Sequence, residues 1–139
     1  RRQRVVDLAT NELGTLKNKT IAMLGISFKP DSDDLRDSPA LEIALKLHAR
    51  GAIVNIHDPV SLESLHKKHP ALTTSTSALE ACRDSDLAIL GTEWKEYIDL
   101  APESLSPKTK IIIDGRNVLN VEKWQAAGWR VIALGRNLH

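Results

Sequence analysis

The chain is poor in cysteine, glycine and aromatic residues: one Cys, seven Gly, three Trp, one Tyr and one Phe in 139 residues. Each scarcity excludes something. A single cysteine, Cys82, rules out an internal disulfide and fits a reducing compartment. It sits in the helix-like "ALEACRDSD" with no histidine beside it, so it reads as a small buried hydrophobe rather than a reactive thiol. No stretch approaches the roughly 18 apolar residues of a membrane span, and no secretory pattern is visible. Charge of one sign is also missing. Lys and Arg number 19 against 18 Asp and Glu, a net charge of +1 that offers no general grip on nucleic acid or acidic membranes. The glycine-rich phosphate fingerprint G-x-G-x-x-G is absent too, since Gly25 is followed by Ile26, Ser27, Phe28 and Lys29. That argues against an autonomous dinucleotide site of the usual kind.

What is present is an alternation of short apolar runs and helical patterns. Strands are expected over 21–24, 52–57, 71–74, 87–90, 110–113 and 130–134. Helices are expected over 39–50, 61–68, 77–83, 95–98 and 121–127, with a helical turn near 102–105. The strong strands are Ile- and Val-rich runs rather than strict alternations, as in a parallel sheet covered on both faces. The fold class expected is α/β: a Rossmann-like three-layer sandwich with a mainly parallel, doubly wound sheet. The opening "RRQRVVDLATNELG" is helical, with Val5, Leu8, Ala9 and Leu13 on one face, and it starts without methionine. We read it as the tail of a connecting helix, so residues 1–14 and 15–139 are expected to be that tail and one ligand-binding domain.

In a parallel sheet, ligands bind beyond the carboxyl ends of the strands. Four polar segments follow strands directly: the long loop 27–38, Asp58, Thr92-Glu93-Trp94 and Asp114-Gly115-Arg116-Asn117. The first is about twice the usual length of such a connection and carries Lys29, Asp31, Asp33, Asp34, Arg36 and Asp37. Asp31, Asp33 and Asp34 could bind magnesium, but with Lys29 and Arg36 alongside, internal pairing is favoured and no metal is expected. Lys29, Arg36 and Arg116 on one rim could recognise an anion, with Ser38 as N-cap and Pro39 as first helical residue of the next helix. A solvated loop in which Asp34 pairs Arg36 fits the spacing equally well. Asp58 reads as a plain Asp-Pro turn more readily than as a ribose ligand.

"GISFKPDSDDLRDSP" (25–39) closely resembles the signature G-x-x-F-K-P-x-T-D-D-x-R-x-S-P of the UDP-glucose/GDP-mannose dehydrogenase family. "HDP" (57–59), "TEW" (92–94) and "DGRN" (114–117) follow in the same order as in that family's carboxy-terminal, nucleotide-sugar-binding domain. The resemblance implies part of an NAD-dependent enzyme that oxidises a sugar C6 alcohol to a carboxylate in two steps. NAD would be bound mainly by an amino-terminal domain outside this chain. It implies that Phe28, Lys29 and Arg116 contact the nucleotide sugar and that Arg36 reaches the NAD phosphates. The UDP-glucose branch is a better match than the GDP-mannose branch, with UDP-N-acetylhexosamine dehydrogenases as an alternative, and the implied setting is cytoplasmic supply of polysaccharide precursors. The implied partners are the UDP-sugar, the amino-terminal and central domains of the same enzyme, and a second copy of that enzyme in a homodimer or larger assembly. Neither nucleic acid nor membrane is an expected partner.

The departures from the family pattern bear on activity. Ser32 replaces a threonine, and neither the glycine fingerprint nor the family's catalytic cysteine motif is present. Cys82 lies in the wrong place for that role, so no catalytic residue is expected here and the chain alone should be inactive. The competing reading is a non-catalytic Rossmann-like module binding a nucleotide or anion. Trp94, Trp124 and Trp129 are expected in packing. His57 is expected to be structural, and His48, His66 and His69 to lie on surfaces or turns.

Overall fold

Short apolar runs become the strands of one parallel sheet in the computed structural model, which describes residues 2–31 and 34–134. Its strands are β1 (Thr20–Leu24), β2 (Ile53–His57), β3 (Thr73–Thr74), β4 (Leu87–Leu90), β5 (Ile111–Asp114) and β6 (Arg130–Ala133). The helices are α1 (Arg2–Leu13), α2 (Pro39–Ala49), α3 (Leu62–Lys68), α4 (Ala78–Cys82), α5 (Lys95–Ile98) and α6 (Val121–Ala126), with a 3₁₀ turn at Pro102–Ser104. Every element expected from the sequence is found within a residue or two of its bounds. The expectations resting on Ser32 and Asp33, and on the last five positions, lie outside the described residues.

The strand order is β3-β2-β1-β4-β5-β6, and every pairing is parallel. Chain direction across the sheet reverses between β1 and β4, the switch point beside which doubly wound folds hold their ligands. Side chains alternate between two cores, as a pleated strand requires. Ile21, Met23, Leu87, Ile89 and Ile113 pack under α1, α2 and α3 with Val5, Val6, Leu47 and Leu65. Ala22, Leu24, Ala88, Leu90 and Ile112 face the other layer, which contains Ala81, Cys82, Tyr97, Trp124 and Trp129. Cys82 is fully buried, and burial pushes its thiol up to about 12, so it is an inert core residue as expected. Trp94, Trp124 and Trp129 are buried as well, the last two packed edge to face.

At the switch point the loop backbones are nearly in contact. A Cβ on Gly91 would stand 2.4 Å from the Gly25 carbonyl oxygen and 2.8 Å from Ala40 Cβ. One on Gly25, whose φ is +89°, would meet Thr92 Cβ at 2.7 Å. These two positions need glycine for closeness, so that the loops after β1 and β4 can lock together. The Thr92 hydroxyl then donates to the Ser27 carbonyl at 2.8 Å. Gly91→Ala is therefore expected to lower stability by about 1–3 kcal/mol through overpacking, measured by urea unfolding with tryptophan fluorescence.

Candidate functional site

All four polar segments singled out in the sequence lie along the carboxyl rim, because every strand runs the same way. Two buried aspartates shape that rim. Asp58, 2% exposed, follows β2. Its Oδ2 accepts from the Ile26 and Ser27 amides at 2.9 and 3.1 Å and from the Ser27 hydroxyl at 2.9 Å. Its Oδ1 accepts from the Val60 and Ser61 amides at 3.0 and 2.9 Å. Ser27 spends its one hydroxyl proton on Asp58, so the 2.7 Å contact with Ser61 is donated by Ser61. The residue expected to be a plain turn former thus clamps the long loop to the loop beside it.

Asp114, fully buried at the end of β5, does the same for the segment carrying Arg116. Oδ1 accepts from the Arg116 amide at 3.1 Å, and Oδ2 from Val118 and Leu119 at 2.8 Å each. Asn117 takes a left-handed φ of +59°, which its residue type tolerates. The backbone is fixed on both sides of Arg116 while the side chain reaches out.

The long loop is folded on itself. Ser38 caps α2 by accepting from the Leu41 amide at 3.2 Å and donates back to the Ile26 carbonyl at 2.6 Å. The Phe28 amide donates to the Asp34 carbonyl at 2.9 Å, and Leu35 is buried beneath. Phe28 is left 46% exposed, and Lys29 is exposed beside it. Asp34 accepts from the Arg36 amide at 2.9 Å and from its Nε and Nη2 at 3.1 Å each, the pairing expected from the spacing. That pairing holds the Asp34 carboxyl below the usual carboxylate range and raises Arg36. The Arg36 side chain is nonetheless 81% exposed. Among the described residues no group of three or more His, Cys, Asp or Glu is placed to hold a metal ion.

The two arginines expected at the site fall in two places. Arg36, with Ser64 and Lys68 of α3, borders an open cleft of about 220 Å³ on the β2 side. Arg116 lies two strands from β1, about 10 Å across the sheet. There it lines a smaller, mostly apolar cavity of about 40 Å³ with Arg2, Val5, Pro39, Ala40 and Gly115. Arg116 is paired: Glu93 Oε2 accepts from its Nε at 3.3 Å and its Nη2 at 3.2 Å. Lys68, Ser64 and Arg2 were invisible to sequence reasoning, because they come from helices with no motif of their own. Glu93 was legible as a rim residue but not as the partner of Arg116.

His57 is structural, as its strand-end position suggested. The Tyr97 hydroxyl donates to the His57 carbonyl at 3.1 Å, so the 2.8 Å contact with the ring is donated by His57 Nδ1–H. Burial lowers the imidazole pKa and keeps the ring neutral.

The strand order and the ligand rim define a doubly wound, Rossmann-like protein. Within that class the family is specific. A model described as UDP-glucose/GDP-mannose dehydrogenase family, UDP binding domain, matches residues 22–121, and the chain belongs to that family. The UDP-glucose 6-dehydrogenase of Rickettsia prowazekii is 37% identical over 138 residues, covering 96% of this chain and 32% of that protein. YwqF, a UDP-glucose 6-dehydrogenase of Bacillus subtilis, is 36% identical over 137 residues, covering 95% and 31%. Among solved structures, a UDP-glucose dehydrogenase of Pyrobaculum islandicum superposes with a TM-score of 0.77 at 29% identity, over 96% of this chain and 29% of that one. An NDP-N-acetyl-D-galactosaminuronic acid dehydrogenase of Methanosarcina mazei gives 0.79 at 26% identity, over 98% and 29%. The chain spans about a third of the length of the curated relatives it matches.

Two outcomes are expected of the rim. Asp58→Asn replaces an acceptor with a donor facing amides that need one, and should cost about 2–3 kcal/mol in chemical unfolding. For His57, the lowered folded pKa means that the unfolded chain binds the extra proton first. The stability from its neutral ring is complete above about pH 6.5 and is lost as pH falls from there through the lowered folded value. His57→Asn, which retains a donor near the Nδ1 position, should flatten the change in unfolding midpoint between pH 7.5 and 5.

Proposed function

We propose that this chain is the nucleotide-sugar-binding part of an NAD-dependent 6-dehydrogenase that converts UDP-glucose to UDP-glucuronate in two oxidation steps. The observation that carries the reading is a family-matched rim on which Arg116 is presented by a buried aspartate. A guanidinium offers paired donors to phosphate oxygens, and Lys29 adds a point charge. Phe28, exposed at the loop, supplies an apolar face to the sugar nucleotide. The amino-terminal tail, residues 1–14, is read as the end of the helix connecting to the remaining parts of the enzyme, and 15–139 as the binding domain.

NAD, which accepts the hydrides in such a reaction, would be held mainly elsewhere. The turn after β1 has no glycine fingerprint and is closed by Thr92 against Ser27, so it does not fit a complete dinucleotide site. Arg36 and Lys68 beside their open cleft do fit phosphate oxygens of a cofactor presented from across an interdomain gap. Arg36 and Arg116 line different cavities, which favours separate duties, cofactor phosphates for one and substrate for the other. Closure over both ligands would expel water and strengthen each charged contact. The proposed setting is cytoplasmic, in an enzyme that forms a homodimer or a larger assembly.

The test is an amide chemical-shift titration of the chain with UDP-glucose and, separately, with NAD. UDP-glucose is expected to move signals at 28–29 and 114–117, and Arg116→Ala to weaken binding about 10- to 100-fold. Shifts confined to the opposite, amino-terminal edge of the sheet would refute the site. Unchanged affinity in Arg116→Ala would remove that residue from it.

A further inference from the structure

We propose that Glu93 is a positioning residue, fixing the Arg116 guanidinium in the orientation that a nucleotide-sugar diphosphate meets. This rests on the assignment of Arg116 to substrate recognition above. β4 and β5 are parallel neighbours with Leu90 opposite Asp114. Three residues past one and two past the other, Glu93 and Arg116 face each other across the rim. A single carboxylate oxygen, Oε2, takes both Nε–H and Nη2–H, holding one edge of the guanidinium. Nη1 makes no hydrogen bond among the described residues and remains for a ligand, as does the second proton of Nη2.

Three features separate this pair from an ordinary surface contact. First, both side chains are about 30% exposed, whereas Arg36 in its pair with Asp34 is 81% exposed. Second, Glu93 Oε1 is buried with no hydrogen-bond partner among the described residues, where Arg116 is the cation paired with that carboxylate. Were Arg116 to swing away, a partly buried charge would be stranded, a costly state. Third, both backbones are tied down. The Arg116 amide donates to Asp114, and Glu93 stands between Thr92, bonded to Ser27, and the buried Trp94. An arginine held in this way loses little rotamer freedom when a ligand arrives, and that preorganisation raises affinity.

The experiment has a ligand-free arm and a ligand arm, both on the chain itself. In the free protein, the Arg116 Nε–Hε resonance is expected to be visible and slow to exchange with water, and to broaden or vanish in Glu93→Gln. In calorimetry with UDP-glucose, Glu93→Gln is expected to weaken binding about five- to tenfold when Arg116 is present and not at all when Arg116 is Ala. Such coupling isolates the pair, because a role in folding alone would weaken binding equally in both backgrounds. Glu93→Asp, which keeps the charge but shortens its reach, is expected to loosen the guanidinium in the same way. It replaces the Gln variant should that one unfold. An Arg116 Hε that exchanges equally fast with and without Glu93, or equal losses in both backgrounds, would overturn the inference. Failure of the unsubstituted chain to bind UDP-glucose, or no loss in Arg116→Ala alone, would instead overturn the substrate assignment. The ligand-free arm then decides the positioning by itself.

Discussion

Buried carboxylates accepting backbone N–H groups hold the ligand rim of this protein in shape. A parallel sheet delivers its loops to one edge but does not dictate their conformation. The amides of those loops, withdrawn from water, each need an acceptor. Asp58 supplies acceptors for the loops after β1 and β2, and Asp114 for the loop after β5. Thr92, bonded to the Ser27 carbonyl, joins the loop after β4 to the first. A hydrogen-bonded frame therefore runs from β2 across the switch point, and a separate clamp secures the segment after β5. The side chains of Lys29, Arg36 and Arg116 stand on this frame and are not parts of it.

The frame explains how a loop with so many charges can belong to a stable fold. Among the described residues, its charges at Lys29, Asp31, Arg36 and Asp37 are exposed, and a pair such as Asp34–Arg36 contributes little to stability. Its order comes from contacts beneath: Asp58 on Ile26 and Ser27, Ser38 to Ile26, Phe28 to Asp34, and Leu35 in the core. Arg36 is thus paired at the surface, and Arg116 is paired in a half-buried setting. The contrast supports the separate duties proposed for them, cofactor phosphates for Arg36 and substrate for Arg116. Glycine at 25 and 91 completes the arrangement by letting loop backbones come closer than any side chain would permit.

Much of this was legible in the sequence. Ile- and Val-rich runs bounded by Gly, Asp-Pro and Asp-Gly gave the strands, and their lack of alternation gave the parallel sheet. The parallel sheet in turn gave the rim. The pairing of Asp34 with Arg36 followed from a spacing of two, and the burial of Cys82 from its apolar helical neighbours. Less legible was anything that depends on which strands are adjacent. Nothing local tells Asp58 that its second oxygen will meet the amides of Ile26 and Ser27, or Glu93 that Arg116 lies opposite. Lys68 and Ser64 entered through the placement of α3 over the loop, a tertiary fact. Asp at or just past the end of a strand, followed by Pro or Gly, is the signal that could have revealed the two clamps, since it occurs at both β2 and β5.

A crystal structure of the chain with UDP-glucose bound would show whether the carboxyl rim receives the ligand as a ready-made frame. The diphosphate is expected within hydrogen-bonding distance of Arg116 and Lys29, with the hydrogen bonds of Asp58 and Asp114 unchanged and Glu93 still on Arg116. A ligand seated away from the carboxyl rim, or one reached only after the Asp58 and Asp114 loops have rearranged, would contradict it.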